Sequence, residues 1–224
     1  MITLGIIGVV SALTIPSLMT NLKAIRFRSQ FLKSYSIIQQ AYKFMEEDDV
    51  SLDPSTYNLK LAPFYKTYMK YLVGAHDCGI FGAYGSNNNS GIPCYRYKGL
   101  SDDSEPYKSL DGKSLVSGQF FDDGQIALPN GVLLLFNHGG IAKHWITVDI
   151  NGYNTPPNRW GIDLFTFQII DGKIITMGDK DTEYYAQKDE YCNFKGSGAL
   201  NGATCAQKAK ENTDYFKEVI KFVK

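Results

Sequence analysis

The sequence predicts an α+β fold in which one long N-terminal α-helix precedes an antiparallel β-sheet. Residues 1–49 keep a helix-like apolar pattern with no cluster of turn-forming residues. Asp-Gly and Asn-Gly pairs, which are the strongest short hairpin signals, separate β-rich runs between residues 116 and 178. The 15 tyrosines, 13 phenylalanines and 21 glycines suit a β-rich body with exposed aromatic surface better than an all-helical bundle.

Length and charge restrict the possible functions. The 224 residues suffice for one domain with an appendage or for two small domains. The 23 basic and 23 acidic side chains cancel. Because no net field attracts nucleic acid, we expect no nucleic-acid partner.

The first 22 residues carry no charged side chain. A bilayer-spanning helix needs about 20 apolar residues, and three cations, Lys23, Arg26 and Arg28, follow this run. A secretory signal peptide would place its cations before the apolar run. Length alone leaves two interpretations open, a membrane-spanning helix and a helix buried in a protein core.

The helical pattern continues beyond the apolar run. Phe31, Tyr35, Ile38, Tyr42 and Met45 are spaced by four and three residues, which places them on one face. The helix should end at the acidic residues 46–49, which we interpret as a solvated end, after about 70 Å. Its second half should pack on a domain while its first half hides in lipid or among copies of itself. Pro16 should kink or locally open it.

An irregular region, residues 50–115, should precede an antiparallel meander. The predicted strands are VSGQFF, QIAL, VLLLF, KHWITVDI, LFTFQII and KIITM. In LFTFQII, alternation places Phe165, Phe167 and Ile169 on the face toward the long helix. The other face receives Leu164, Thr166, Gln168 and Ile170.

The four cysteines favour disulfides over a metal site. None is in a C-x-x-C pair, and the three histidines are scattered, which disfavours zinc. Of the three possible pairings, the simplest joins Cys78 to Cys94 and Cys192 to Cys205. Such bridges persist outside the cytoplasm.

We find no constellation that indicates an enzyme. His138 and His144 flank Gly139-Gly140 and could work with Asp123 or Asp149, but no matched nucleophile accompanies them. One loop gathers the oxygen donors that calcium accepts, although turn-forming residues explain most of the cluster. These donors are Asp149, Asn151, Asn154, Asn158 and Asp163.

The stretch LGIIGVVSALTIPSL resembles the N-terminal helix of type IV pilins and of type II secretion pseudopilins. Pro16 corresponds to the helical proline of that family, and Gly5, Gly8, Ser11 and Ala12 match its small residues. VDINGYNTPPNRWGIDLFTFQIIDGKI resembles the sheet region of prepilin-like sequences, and CNFKGSGALNGATC resembles their disulfide-closed C-terminal loop. The leader, the cleavage site and the glutamate of the family would precede Met1, so cleavage and N-methylation are assigned to no residue here.

The resemblance implies a pilin-like division of the chain. Residues 1–24 would be the membrane and filament-core half of the helix, and residues 25–224 the headgroup. The headgroup would comprise the amphipathic half-helix 25–49, the loop-rich region 50–115, the sheet 116–178 and the disulfide-closed tail 179–224.

The resemblance also implies a structural subunit of a bacterial filament that assembles with other pilin-like subunits. It would reside in the inner membrane, meet assembly machinery there, and pass into a periplasmic or surface filament. We expect no catalysis and no cofactor, with calcium as the one candidate ion. The alternatives are a membrane-anchored exported binding protein or adhesin that does not polymerise, and an anchored hydrolase. The implied assembly residues are Ile2, Leu4, Gly5, Ile6, Ile7, Val9, Val10, Leu13, Ile15, Pro16 and Leu18.

Overall fold

A computed structural model describes residues 2–58, 63–80, 94–95, 107–139 and 142–222, with the side chains of residues 2–17, 139 and 142 excepted. Helix α1 runs without interruption from Ile2 to Glu47 and includes Pro16. Its 46 residues span about 69 Å. The helix ends in a Schellman motif: Asp49 adopts φ +53°, and the Val50 amide donates to the Met45 carbonyl at 2.9 Å.

One face of α1 is buried from Ala24 onward. Phe31, Ile38, Tyr42 and Met45 are buried, and Tyr35 is half-buried. These five residues, the packed stripe, confirm the predicted helical face. Spacings of four and three residues keep them on one side, so their apolar area leaves water together.

The sheet is a six-stranded antiparallel meander in which every strand pairs with its neighbour in sequence. Two-residue connections explain only two of these pairings, 133–139 with 142–149 and 164–170 with 173–176. At the predicted Asp171-Gly172 turn both residues have positive φ, +46° and +71°. The strands are β1 His76–Gly79, β2 Gln125–Ala127, β3 Leu133–Gly139, β4 Ala142–Asp149, β5 Leu164–Ile170 and β6 Lys173–Thr176.

Strand β5 packs against α1 as its alternation predicts. The Phe31 ring lies 4.7 Å from the Phe165 ring, edge to face. Tyr35 stacks on Phe167 with centroids 5.3 Å apart. Ile169 is also buried in this core. The orientation of Phe165, Phe167 and Ile169 is therefore confirmed.

The opposite face of the sheet is covered as well. Leu164, Thr166 and Gln168 are buried there, although alternation alone does not distinguish a covered face from a solvated one. The expectation of exposed aromatic surface is largely wrong, because aromatic residues fill the two hydrophobic cores that lie on opposite faces of the sheet. The fully buried large aromatic side chains are Trp145, Trp160, Tyr65, Tyr68, Tyr95, Tyr107, Tyr215, Phe31, Phe121, Phe165, Phe167 and Phe216.

Three regions differ from expectation. VSGQFF is not a strand: Gly118–Phe120 form a 3-10 turn whose preceding Ser117 accepts from the Gln119 amide. The region predicted as loop contains α2 (Phe64–Met69) and β1. The tail contains α3 (Cys205–Glu211) and α4 (Tyr215–Phe222), and Phe216 of α4 packs 5.9 Å from Phe31.

Candidate functional site

A row of exposed apolar side chains distinguishes the described part of α1 before its packed stripe. Leu18, Met19, Leu22 and Ile25 are 57–65% exposed. Leu18, Leu22 and Ile25 are spaced by four and three residues and share a face. We call these four residues the exposed stripe. Single exposed apolar residues are ordinary, but a contiguous apolar strip is typical of an interaction surface.

The charges of α1 are segregated along its length. Lys23 and Arg26 are exposed beside the exposed stripe, whereas residues 46–49 are four exposed acids at the other end. Lys43 pairs with Glu47 at 3.7 Å, and the Tyr71 hydroxyl donates to Asp48 at 3.0 Å. The predicted solvated end is confirmed. The middle of this helix is therefore basic and its C-terminal end is acidic.

Most implied assembly residues can be placed only by their backbone. Ile2, Leu4, Gly5, Ile6, Ile7, Val9, Val10, Leu13, Ile15 and Pro16 lie within α1, and their side chains fall outside the description. Leu18 is 59% exposed. Sequence reasoning did not single out Met19, Leu22 or Ile25, although extending the apolar spacing by two turns identifies them.

Within the described residues, no helix combines the length and the apolar character that crossing a bilayer requires.

The loop after β4 is built around two buried carboxylates. Asp149 accepts from the amides of Asn151 and Gly152, at 3.1 and 2.8 Å, and from the Tyr107 hydroxyl at 2.9 Å. Asp163 accepts from the amides of Asn158 and Arg159 at 2.9 and 2.7 Å. Each carboxylate thus closes a tight segment of the loop by capping its N–H groups.

The pKa values of both carboxyl groups are raised. Burial raises the pKa of Asp163 to about 6. Burial, together with the negative charge of Asp163, raises the pKa of Asp149 well above its usual range. Because N–H and O–H donors already engage both groups, the Asp and Asn cluster is explained as a loop anchor without an ion. Calcium there would have to displace those donors, and it stays a prediction.

Both predicted disulfides are present. Cys78 is bonded to Cys94 and Cys192 to Cys205. The first bond ties β1 to the short described segment 94–95. The second ties the start of α3 to the loop that precedes it. His76 lies near the first bridge, with its ligand nitrogen and both sulfurs within 4.8 Å of one another. Those sulfurs are bonded to each other, so they are not thiolate ligands in this form.

The histidines do not form a catalytic triad with the described residues. The Asp123 carboxylate accepts from the His138 backbone amide at 2.6 Å and not from a ring. Asp149, the other candidate partner, is engaged by Tyr107. The structure does bring His138 and His144 together, with ring centroids 4.6 Å apart.

Comparisons of the chain with protein-family models, curated proteins and solved structures find no match.

Proposed function

We propose that this chain is a structural subunit of a bacterial filament of the type IV pilus or type II secretion pseudopilus kind, assembling through the N-terminal half of α1. The observation that carries the proposal is the exposed stripe. It begins within the uncharged run of residues 1–22, and its apolar side chains face solvent. The long helix set on an antiparallel sheet is the coarse architecture that the sequence resemblance implies.

Assembly would remove the exposed stripe from water. Burial of apolar area stabilises association by about 25 cal/mol per Å². A helix that packs on copies displaced along its axis makes a head-to-tail contact, and such contacts continue into filaments when they do not close a ring. The basic residues Lys23 and Arg26 and the acids 46–49 favour such an axial displacement, since it lets opposite charges approach.

The same proposal covers location and partners. Before assembly the subunit resides in the bacterial inner membrane, where assembly machinery adds it to a periplasmic or surface filament. The two disulfides support an exported headgroup, because such bonds form and persist outside the cytoplasm.

A matched pair of substitutions tests the proposal. Leu22→Asp places a charge in the exposed stripe, and Asn21→Asp places the same charge one residue away at another exposed position. Filaments are sheared from the bacterial surface, pelleted and quantified by mass spectrometry. We expect Leu22→Asp to be lost from the pellet and Asn21→Asp to be retained, while both proteins keep the wild-type unfolding midpoint.

Two results would count against a filament subunit. Absence of the wild-type chain from sheared filaments, with retention in the membrane fraction, would favour a membrane-anchored binding protein or adhesin. Equal recovery of both variants in the pellet would show that the exposed stripe is not part of the assembly contact.

A further inference from the structure

The β3–β4 hairpin is distorted where it brings two imidazoles into contact. Its strand pairing slips between Asn137 and Gly139, and His144 adopts φ +34°, a conformation that residues with side chains rarely occupy. The ring planes of His138 and His144 are tilted by 33°. Bulges and left-handed residues of this kind redirect side chains and are common beside functional sites.

Buried polar atoms without partners concentrate at this hairpin. Eight such side-chain atoms occur in the described part of the chain, and four belong to residues of β3 and β4. Because native proteins rarely leave buried polar atoms unpaired, this local concentration indicates a ligand. The four atoms are Asn137 Oδ1, His138 Nδ1, His144 Nδ1 and Trp145 Nε1.

The surrounding space fits one small ligand. A cavity of about 10 Å³ is large enough for about one water-sized species. Asp123, Asn137, both histidines and Trp145 line one part of it, and the rest is lined by Pro54, Phe64, Tyr65, Phe136 and Ile169. A second cavity of about 420 Å³ also touches His144 and leads outward. It is lined by four carboxylates and one lysine: Asp53, Asp171, Asp181, Glu183 and Lys143.

The charge and protonation of the site favour a cation. The carboxylates of Asp53 and Asp123 act electrostatically on both rings. Burial nevertheless lowers the pKa of His138 and of His144, which favours the uncharged form of both rings. A neutral imidazole carries the lone pair that a metal ion requires.

The ring geometry suits a transition metal. With metal–nitrogen bonds of about 2.1 Å, two imidazoles on one ion at an angle near 90–110° have centroids about 4.6–5.3 Å apart. The observed separation is 4.6 Å. Imidazole ligands select Zn²⁺, Cu²⁺ or Ni²⁺ over Ca²⁺ and Mg²⁺.

We propose that His138 and His144 bind one divalent transition-metal ion at the β3–β4 hairpin, beside the acidic cavity. No described carboxylate joins the two rings in a converged three-ligand cluster. The imidazoles therefore supply two ligands, and water, Asn137 Oδ1 or a shifted Asp123 carboxylate completes the coordination. This site is independent of filament assembly.

The test uses the oxidised, untagged full chain in detergent, so that all four cysteines remain in disulfides. Zn²⁺ and Cu²⁺ binding are measured by equilibrium dialysis with elemental analysis. We expect one equivalent per chain, and at least a tenfold loss of affinity in His138→Gln and in His144→Gln. His76→Gln is the matched control and should keep wild-type affinity.

Electron paramagnetic resonance of the Cu²⁺-loaded wild-type chain provides a readout that does not depend on variant folding. Two imidazole nitrogens bound to copper would support the site, and one or none would overturn it. The proposal is also overturned if binding is substoichiometric, which would leave a water molecule as the occupant, or if His76→Gln removes the metal instead. Equal affinity for Ca²⁺ would overturn the assigned ion class.

Discussion

The packed stripe and the exposed stripe lie on one continuous helix, yet they stand in opposite environments. Phe31 in the packed stripe contacts Phe165, Phe167 and Phe216. Leu22 in the exposed stripe is 57% exposed. Both stripes follow the same helical spacing, so spacing identifies a helical face and its neighbours decide what the face does. We assign stability to the packed stripe, and the proposed function gives association to the exposed stripe.

The largest expected effect on stability comes from Phe31→Ala. Truncating this fully buried ring leaves a cavity between α1, β5 and α4, and we expect a loss of about 3–5 kcal/mol in the free energy of unfolding. Urea denaturation followed by far-ultraviolet circular dichroism measures it. A loss below about 1 kcal/mol would show that the packed stripe does not hold the body together.

The second effect is pH-dependent and leaves both stripes intact. The folded Asp163 has a pKa of about 6, above its unfolded value near 3.9, so the folded state binds more protons between these values. Stability contributed by this group is therefore full below about pH 4 and falls by about 3 kcal/mol as pH rises through 6. Asp163→Asn should flatten this fall, because it removes the titrating group and its repulsion of Asp149.

Urea titrations at half-unit pH intervals compare the wild type with Asp163→Asn. The difference between the two curves should develop between pH 4 and 6. Parallel curves over that interval would show that the buried carboxylate pair does not titrate as assigned.

A smaller effect is expected at the junction of α1 and α2. The buried Tyr68 hydroxyl donates to the Ile38 carbonyl at 2.6 Å. Tyr68→Phe removes this hydrogen bond but keeps the ring, so we expect a loss of about 1 kcal/mol. Thermal unfolding monitored by calorimetry measures it. A neutral result would show that water replaces the hydroxyl without penalty.

The smallest effect completes the comparison. Ile25→Ala removes apolar area that is already 63% exposed, and we expect a change within about 0.5 kcal/mol in the free energy of unfolding. The same denaturation assay applies, with Phe31→Ala as the contrasting variant. A loss above about 2 kcal/mol would mean that the exposed stripe is part of the core.

Local patterns allowed much of this fold to be predicted from the sequence. The spacing of the packed stripe predicts its buried face, and Asp171-Gly172 predicts the β5–β6 turn because both positions need positive φ. Strand β1 has only four residues and gains its ladder from β2, so nothing local identifies it. Pattern reasoning also missed the cover on the second sheet face, since its aromatic residues come from distant segments.

Sequence reasoning predicted some site residues and missed their use. The sequence identifies Asp149 and Asp163 as oxygen donors, but only the fold shows that they cap backbone amides. In the sequence His138 and His144 flank a glycine pair, whereas the contact of their rings depends on the slipped pairing of β3 with β4. Tertiary geometry sets these roles, and residue spacing does not encode it.

The central claim is that neighbouring subunits cover the exposed stripe in the filament, while the outer surface of the headgroup stays accessible to solvent. Every native cysteine is in a disulfide, so an introduced thiol can be labelled selectively. We would measure maleimide labelling of Leu22→Cys, and of Lys180→Cys as the control, in detergent-solubilised subunits and in sheared filaments. The account predicts that Leu22→Cys is labelled in subunits and protected in filaments, while Lys180→Cys is labelled in both. Equal labelling of Leu22→Cys in both states, or absence of the chain from sheared filaments, would contradict it.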